Sequence, residues 1–221
     1  MLALPGLRIS DLGLWTLDFG QKLMIKGLIF DCDGTLADTM PLHWRAWNTI
    51  TTRHGLHFPE ERFYAMGGVP SLDILKLLRD EQGLNIDPLA VAHEKEEAYT
   101  RIMHDITIID EVVAIAREHH GKIPMAVASG GNQTIICRVL EQLEIRHLFD
   151  AVVTSEMVVN QKPAPDIFLE AARRLCVEPR FCRGYEDTDL GMTAIRAAGM
   201  EAVDVRTMRC HTKLSPAALS R

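Results

Sequence analysis

The second half of the chain constrains the fold most. From Ile109 onward, short apolar runs alternate with amphipathic stretches. Ile109–Lys122, Asn132–Ile145, Ala164–Val177 and Thr188–Gly199 repeat apolar residues at helical spacing. Ile123–Ser129 (IPMAVAS), Phe149–Ser155 (FDAVVTS), Phe181–Asp187 (FCRGYED) and Met200–Val205 (MEAVDV) lie beside them as short apolar strands. Strands that alternate with helices of about ten to fifteen residues predict βαβ units and a parallel sheet. Lys26–Asp31 (KGLIFD) reads as one more buried strand. The expected fold is therefore α/β, with a doubly wound, Rossmann-like parallel sheet.

That alternation starts late. Between the first strand and Ile109, residues 41–104 read as mostly helix. Pro41–Gly55 opens on proline and stops at glycine, Ser71–Gly83 starts on serine and stops at glycine, and Asp87–Asp105 begins Asp-Pro. Strand character is weak here and confined to Phe58–Tyr64. The expected organisation is a discontinuous core, 24–39 and 105–221, interrupted by a helical cap at 40–104, with residues 1–23 as an N-terminal extension. That extension lacks a basic n-region, and Asp11 and Asp18 interrupt its apolar residues, so it does not read as a signal peptide.

Composition narrows the classes of partner. The net charge of −6 over 221 residues offers no basic footprint, so nucleic acid and anionic membrane are not expected. No apolar run reaches the roughly 18 residues of a membrane span. Five cysteines without CxxC spacing read as reduced thiols of a cytoplasmic protein, not as a disulfide frame or zinc site. A monomer is expected.

In open α/β sheets, ligands bind outside the carboxyl ends of the strands. The first strand ends in Asp31 and Asp33, the second in Ser129 with Gly130-Gly131, and the fourth in Glu186 and Asp187; Lys162 stands on the loop after the third. Clustered carboxylates repel unless a hard cation neutralises them, and Mg²⁺ takes oxygen ligands. A Ser-Gly-Gly turn opening a helix offers N–H groups to an anion. A lysine supplies a compact charge for phosphoryl oxygens. A carboxylate can act as nucleophile and a second as acid and base. The inventory suits phosphoryl transfer on a small phosphorylated metabolite.

The segments DCDGTLADT, ASGG, QKPAPD and YEDTDLG resemble, in order, the four motifs of the haloacid dehalogenase-like superfamily, and the chain resembles its β-phosphoglucomutase-like group over about residues 24–208. The resemblance implies Asp31 as nucleophile and Mg²⁺ ligand. It implies Asp33 as acid/base, with its backbone carbonyl on the metal. Ser129 and the Gly130 amide would clamp the phosphate and Lys162 would anchor charge. Asp187, with Glu186 close by, would form the acidic end of the metal site. His43, just inside the cap, would face the sugar phosphate. A dehalogenase proper would not need Asp33 or Mg²⁺, and intact motifs argue against an idle binding protein.

Two activities of this group remain open, a sugar-phosphate phosphatase and a sugar phosphomutase. The mutases carry a KGVSR-like cap segment whose Lys and Arg grip a second phosphate. Here the stretch reads GGVPS, with Gly67 and Ser71 at those positions and Asn132 replacing a further lysine. GGVPS resembles instead the cap loop of fructose-1-phosphate-type phosphatases, so hydrolysis of a hexose or similar monophosphate is expected. Arg79 or Lys76 could restore the grip from the next helix. Other residues are expected to be structural: Cys32 pointing away from the site by strand alternation, Trp44 and Trp47 in the cap core, His119-His120 solvated, and Glu94–Glu97 (EKEE) an exposed helical face. Arg183-Gly184, in the strand before the acids, breaks the apolar pattern and has no account at this level.

Overall fold

The computed structural model describes residues 24–208. Five parallel strands, β1 (Gly27–Phe30), β2 (Met125–Ser129), β3 (Ala151–Thr154), β4 (Cys182–Glu186) and β5 (Glu201–Asp204), form one sheet in the order β3-β2-β1-β4-β5. The connections are α5 (Asp110–His119), α6 (Gln133–Gln142), α7 (Asp166–Arg174) and α8 (Asp189–Ala197). This is the doubly wound sheet that the alternation predicts. Because helices cover both faces, β1 and β2 are buried along their whole length, which explains their unbroken apolar runs. Leu28, Phe30, Met125 and Val127 pack toward one helical layer, and Ile29, Ala126 and Ala128 toward the other, where Ile167, Phe168, Ala194 and Ile195 meet them.

Four helices follow β1 before the sheet resumes: α1 (Met40–His54), α2 (Glu60–Ala65), α3 (Ser71–Gln82) and α4 (Pro88–Ile102). They form a cap with its own apolar centre of Trp47, Phe58, Phe63, Leu75, Leu78 and Val91, against which Trp44 packs. Glycines at Gly55 and Gly83 end α1 and α3 in the left-handed conformation, as their sequence position suggests. The two strands of chain that join cap to core are tied together: Asp38 N–H donates to Thr107 O, Ile109 N–H donates to Leu36 O, and Ala37 forms an antiparallel bridge with Ile108. No described helix is long and apolar enough to cross a membrane.

Two expectations need correction. Phe58–Tyr64 is not strand, because Pro59 and the acidic pair Glu60-Glu61 start α2, whose Phe63 turns into the cap centre. The aromatic residues there serve packing between helices. Glu94–Glu97 is not a uniformly exposed face: Lys95 is buried, Glu94 and Glu96 are half-buried, and Glu97 alone is exposed. Residues 1–23, and the core beyond Met208, lie outside the described residues.

The Arg183-Gly184 step now has a physical reason. Arg183 stands opposite Glu201 in the β4–β5 register, and its guanidinium pairs with that carboxylate at 3.0 Å near the sheet edge. Gly184 faces the other layer, where an added Cβ would lie 2.7–2.9 Å from three carbons of Ile195. The missing side chain lets α8 settle onto β4. Gly184→Ala should therefore destabilise the fold by about 1–3 kcal/mol, the usual cost of overpacking. Urea unfolding will measure this, and adding Ile195→Val should recover part of the loss; an unchanged midpoint for Gly184→Ala would refute the packing account.

Candidate active site

All the strand-end residues singled out above converge at the carboxyl edge of the sheet. Asp31 follows β1 directly, and its N–H donates to Tyr185 O at 3.0 Å, so the ladder with β4 fixes its backbone. The chain then turns sharply, with the N–H groups of Thr35, Leu36 and Ala37 all donating to Cys32 O. Gly34 has φ +81°, and a Cβ there would collide with the Asp187 carboxylate. Glycine is thus required twice, by the turn and by the close approach. Thr35 Oγ1 donates to Asp187 Oδ1 at 3.1 Å, which ties the first motif to the last.

Lys162 is the electrostatic centre. Its Nζ donates to Asp31 Oδ1 at 2.6 Å and to Glu186 Oε2 at 2.7 Å, with only 8% of the side chain exposed. Burial opposes the ammonium charge, but the two carboxylates outweigh it and hold Lys162 protonated, well above its ordinary value. The other oxygen of Glu186 accepts from the N–H groups of Asp187 and Thr188 and from Thr188 Oγ1. Glu186 is therefore fully engaged as the anchor of Lys162 and of the first turn of α8. Gly191, in that turn, leaves the space the Glu186 side chain fills.

Asp31, Glu186 and Asp187 bring carboxylate oxygens within 4.8 Å of one another. Burial and the neighbouring Glu186 push Asp31 upward, against the pull of Lys162. Three carboxylates thus face one ammonium, a site short of positive charge. The donors are all hard oxygens. Such a set fits a Mg²⁺ ion, with Asp31 and Asp187 the side chains that would hold it.

Ser129 ends β2, buried, and its Oγ accepts from Gly131 N–H at 3.1 Å, which leaves its own proton to donate. Gly130 lies beside it on the cleft wall, before α6. Cys32 is buried in the core, and burial together with Asp33 and Asp31 raises its thiol, so it stays protonated and serves packing. The cleft between cap and core has a volume of about 560 Å³ and is lined by Asp31, Asp33, Ser129, Gly130, Lys162 and Glu186 below and by His43, Trp47, Phe63, Ser71, Lys95 and Glu96 above.

The cap reaches Asp33 through His43. Asp33 keeps 27% of its side chain exposed, and its Oδ1 lies 3.6 Å from His43 Nε2, inside ion-pair range though long for a hydrogen bond. On the far side of the ring, Lys95 Nζ lies 2.9 Å from His43 Nδ1. An ammonium can only donate, so Nδ1 is the acceptor and the neutral ring carries its proton on Nε2, toward Asp33. Tyr99 stacks on the ring at 4.0 Å. Burial and then the Lys95 charge depress His43, and burial of Asp33 is outweighed by His43, so that Asp33 rests below its ordinary value as a carboxylate.

Sequence reasoning missed Lys95, taking it as part of a solvated charge run. A signal was present: Val91, Lys95 and Tyr99 recur at four-residue spacing on the buried face of α4. His119, by contrast, is half-buried with Nδ1 on Ile115 O, and His120 is exposed; neither approaches the cleft.

A parallel sheet with a carboxylate cluster at its carboxyl edge, closed by a helical cap inserted after the first strand, is the architecture of capped haloacid dehalogenase-like hydrolases. The family model for haloacid dehalogenase-like hydrolase matches residues 25–199, and the chain belongs to that family. It is 41% identical over 182 residues to fructose-1-phosphate phosphatase YqaB of Escherichia coli, covering 82% of this chain and 97% of that protein. It is 30% identical over 190 residues to the β-phosphoglucomutase of Bacillus subtilis, covering 82% and 83%. The solved β-phosphoglucomutase of Clostridium difficile superposes with a TM-score of 0.74 at 27% identity, covering 82% of this chain and 84% of the other.

The Lys95–His43 contact has a sign that can be tested. His43 titrates below its ordinary value, so the folded ring releases its proton at lower pH than a free imidazole does. The unfolded chain takes up that proton near pH 6.5, so this site subtracts stability as pH falls below about 6.5 and has no effect above. Lys95→Met removes one of the two depressing influences. His43 should then protonate at higher pH, and the acid limb of the kcat/KM profile should move upward. An unmoved limb would mean that Lys95 does not set the protonation of His43.

Proposed function

We propose that the protein is a Mg²⁺-dependent phosphatase that hydrolyses a small sugar phosphate through a phosphorylated Asp31. The observation that carries this reading is the buried Lys162 bridge, which joins the Asp31 and Glu186 carboxylates at the floor of a cleft large enough for a phosphorylated hexose. The names of two relatives support it: the YqaB protein is a fructose-1-phosphate phosphatase, and a Thermotoga maritima protein 27% identical over 183 residues is a phosphorylated carbohydrates phosphatase.

Each residue then has a task. Ser129 O–H and the Gly130 amide receive the phosphoryl oxygens, and Lys162 balances their charge. Bound Mg²⁺ would add positive charge at Asp31 and Asp187, easing the approach of the phosphate dianion. Asp31 Oδ1 is held by Lys162, which leaves Oδ2 for the attack. A bond forms from Oδ2 to phosphorus, and the ester oxygen departs with its electron pair. Asp33 gives that oxygen a proton. A resting carboxylate at Asp33 must first gain one, and the arriving phosphate dianion raises its pKa by like-charge repulsion. In the second half, Asp33 takes a proton from water as the water oxygen bonds to phosphorus and Asp31 is released. His43, held by Lys95, keeps Asp33 pointed at the departing oxygen. The closed cap keeps bulk water away from the first step.

A mutase reading has support from the Bacillus subtilis relative, but the cleft argues against it. A second phosphate needs fixed cations. Gly67, Ser71 and Asn132 line the wall where they would stand, and Asn132 is engaged with Glu156. Lys76 pairs with Asp73 and Arg79 with Asp80, and neither lines the cleft.

With a hexose monophosphate, turnover should require Mg²⁺ and stop in EDTA. Asp31→Asn should abolish it, and Asp33→Asn should slow it roughly 10²–10⁴-fold, the usual worth of acid–base catalysis. Given β-glucose monophosphate with a trace of the bisphosphate, the enzyme should release inorganic phosphate faster than it isomerises the sugar. Full activity in EDTA or in Asp31→Asn would refute the phosphatase reading, and isomerisation well ahead of phosphate release would favour the mutase.

A further inference from the structure

Glu96 stands on the cap wall of the cleft with an unusual set of partners. Its Oε1 accepts from Lys95 Nζ at 3.0 Å and from Ser71 Oγ at 3.2 Å. Lys95, buried to 3% exposure, is the same ammonium that holds His43 Nδ1. A chain of contacts therefore runs from Asp33 through His43 and Lys95 to Glu96, and fixes the Glu96 carboxylate relative to the reacting end of the cleft. Glu96 Oε2 has no hydrogen bond among the described residues. With 44% of its side chain exposed at the cleft wall, that carboxylate is open to donors that a ligand brings in. The donors that the far end of a phosphorylated sugar carries are hydroxyl groups.

The charge of the cleft points the same way. Among its lining residues the lysines are Lys95 and Lys162, and there is no arginine. Lys162 is committed to Asp31 and Glu186, and Lys95 to Glu96 and His43. A second anionic group at the cap end of the ligand would meet no uncommitted lysine or arginine in the lining and would face the Glu96 carboxylate.

We infer that Glu96 determines specificity at the far end of the substrate: its Oε2 accepts hydrogen bonds from hydroxyls of a neutral polyol chain, and its charge rejects ligands that carry a second anionic group there. The substrate class is thus a monophosphate whose remainder is uncharged, with hexose bisphosphates and phosphorylated sugar acids excluded. This rests on phosphoryl transfer at Asp31, as proposed above. Specificity built this way uses attraction toward one ligand and repulsion of its rivals.

The test compares substrates within each variant, so that any common loss passed through Lys95 and His43 cancels. The quantity is kcat/KM for fructose bisphosphate divided by kcat/KM for a fructose monophosphate, with para-nitrophenyl phosphate as a hydroxyl-free reference. In Glu96→Gln the charge is removed at constant shape, and the ratio should rise about tenfold or more. The monophosphate should also lose its advantage over the aryl phosphate, chiefly through KM. Glu96→Asp keeps the charge and should keep the ratio within about threefold of the parent protein. A ratio unchanged in Glu96→Gln, while the parent protein hydrolyses the monophosphate, would overturn this inference and leave the phosphatase reading standing. Failure of the parent protein to hydrolyse any of these esters with Mg²⁺ would overturn both.

Discussion

The structure depends on one buried ammonium. Lys162 comes from the loop after β3, yet it holds Asp31 from β1 and Glu186 from β4 at hydrogen-bond distance. Removing two carboxylates and an ammonium from water costs several kcal/mol per ion unless each is paired and its remaining lone pairs are filled. Here Glu186 takes two backbone N–H groups and a hydroxyl besides Lys162. The bridge thus locks three separate segments into one arrangement. Truncating Lys162 would leave two buried charges unbalanced. With Asp187 added, positive charge remains short, an imbalance that a hard divalent cation would offset.

A second ammonium does comparable work in the cap. Lys95 is buried against Tyr99, and its bonds to His43 and Glu96 connect the cap helices to Asp33. The two lysines divide the cleft between them. On the proposed reading Lys162 organises the end where phosphorus reacts, and Lys95 the end that receives the rest of the substrate. The hydrogen bonds between 36–38 and 107–109 hold together the two connections across which these ends face each other. On the proposed reading Asp33 is the acid and base, and its contact with a cap histidine makes its protonation sensitive to where the cap sits.

Much of this was legible in the sequence because it is written in local patterns. Buried parallel strands leave unbroken apolar runs, and β1 and β2 have them. Residues at strand ends fall together once the sheet is parallel, so Asp31, Asp33, Ser129, Lys162 and Glu186 could be named before any coordinates. What was not legible depends on contacts between distant segments. Lys95 looked like one charge in a charged run, and only the packing of α4 against α1 shows that it faces His43. Arg183-Gly184 looked like a defect because the residues that explain it, Glu201 and Ile195, are distant in the chain. Phe58–Tyr64 misled because aromatic residues fit a strand surface and a helix interface equally well, and the acidic pair after Pro59 decided the matter.

The central claim is that Asp31 becomes phosphorylated. Para-nitrophenyl phosphate has a good leaving group, so the first step needs little help from Asp33 and the acyl phosphate should accumulate briefly. A rapid acid quench during the first turnover, followed by borohydride reduction and peptide mass spectrometry, should find homoserine in place of Asp31, with Asp33 unchanged. Reduction at Asp33, or phosphate release at full rate with no modification of Asp31, would contradict the account.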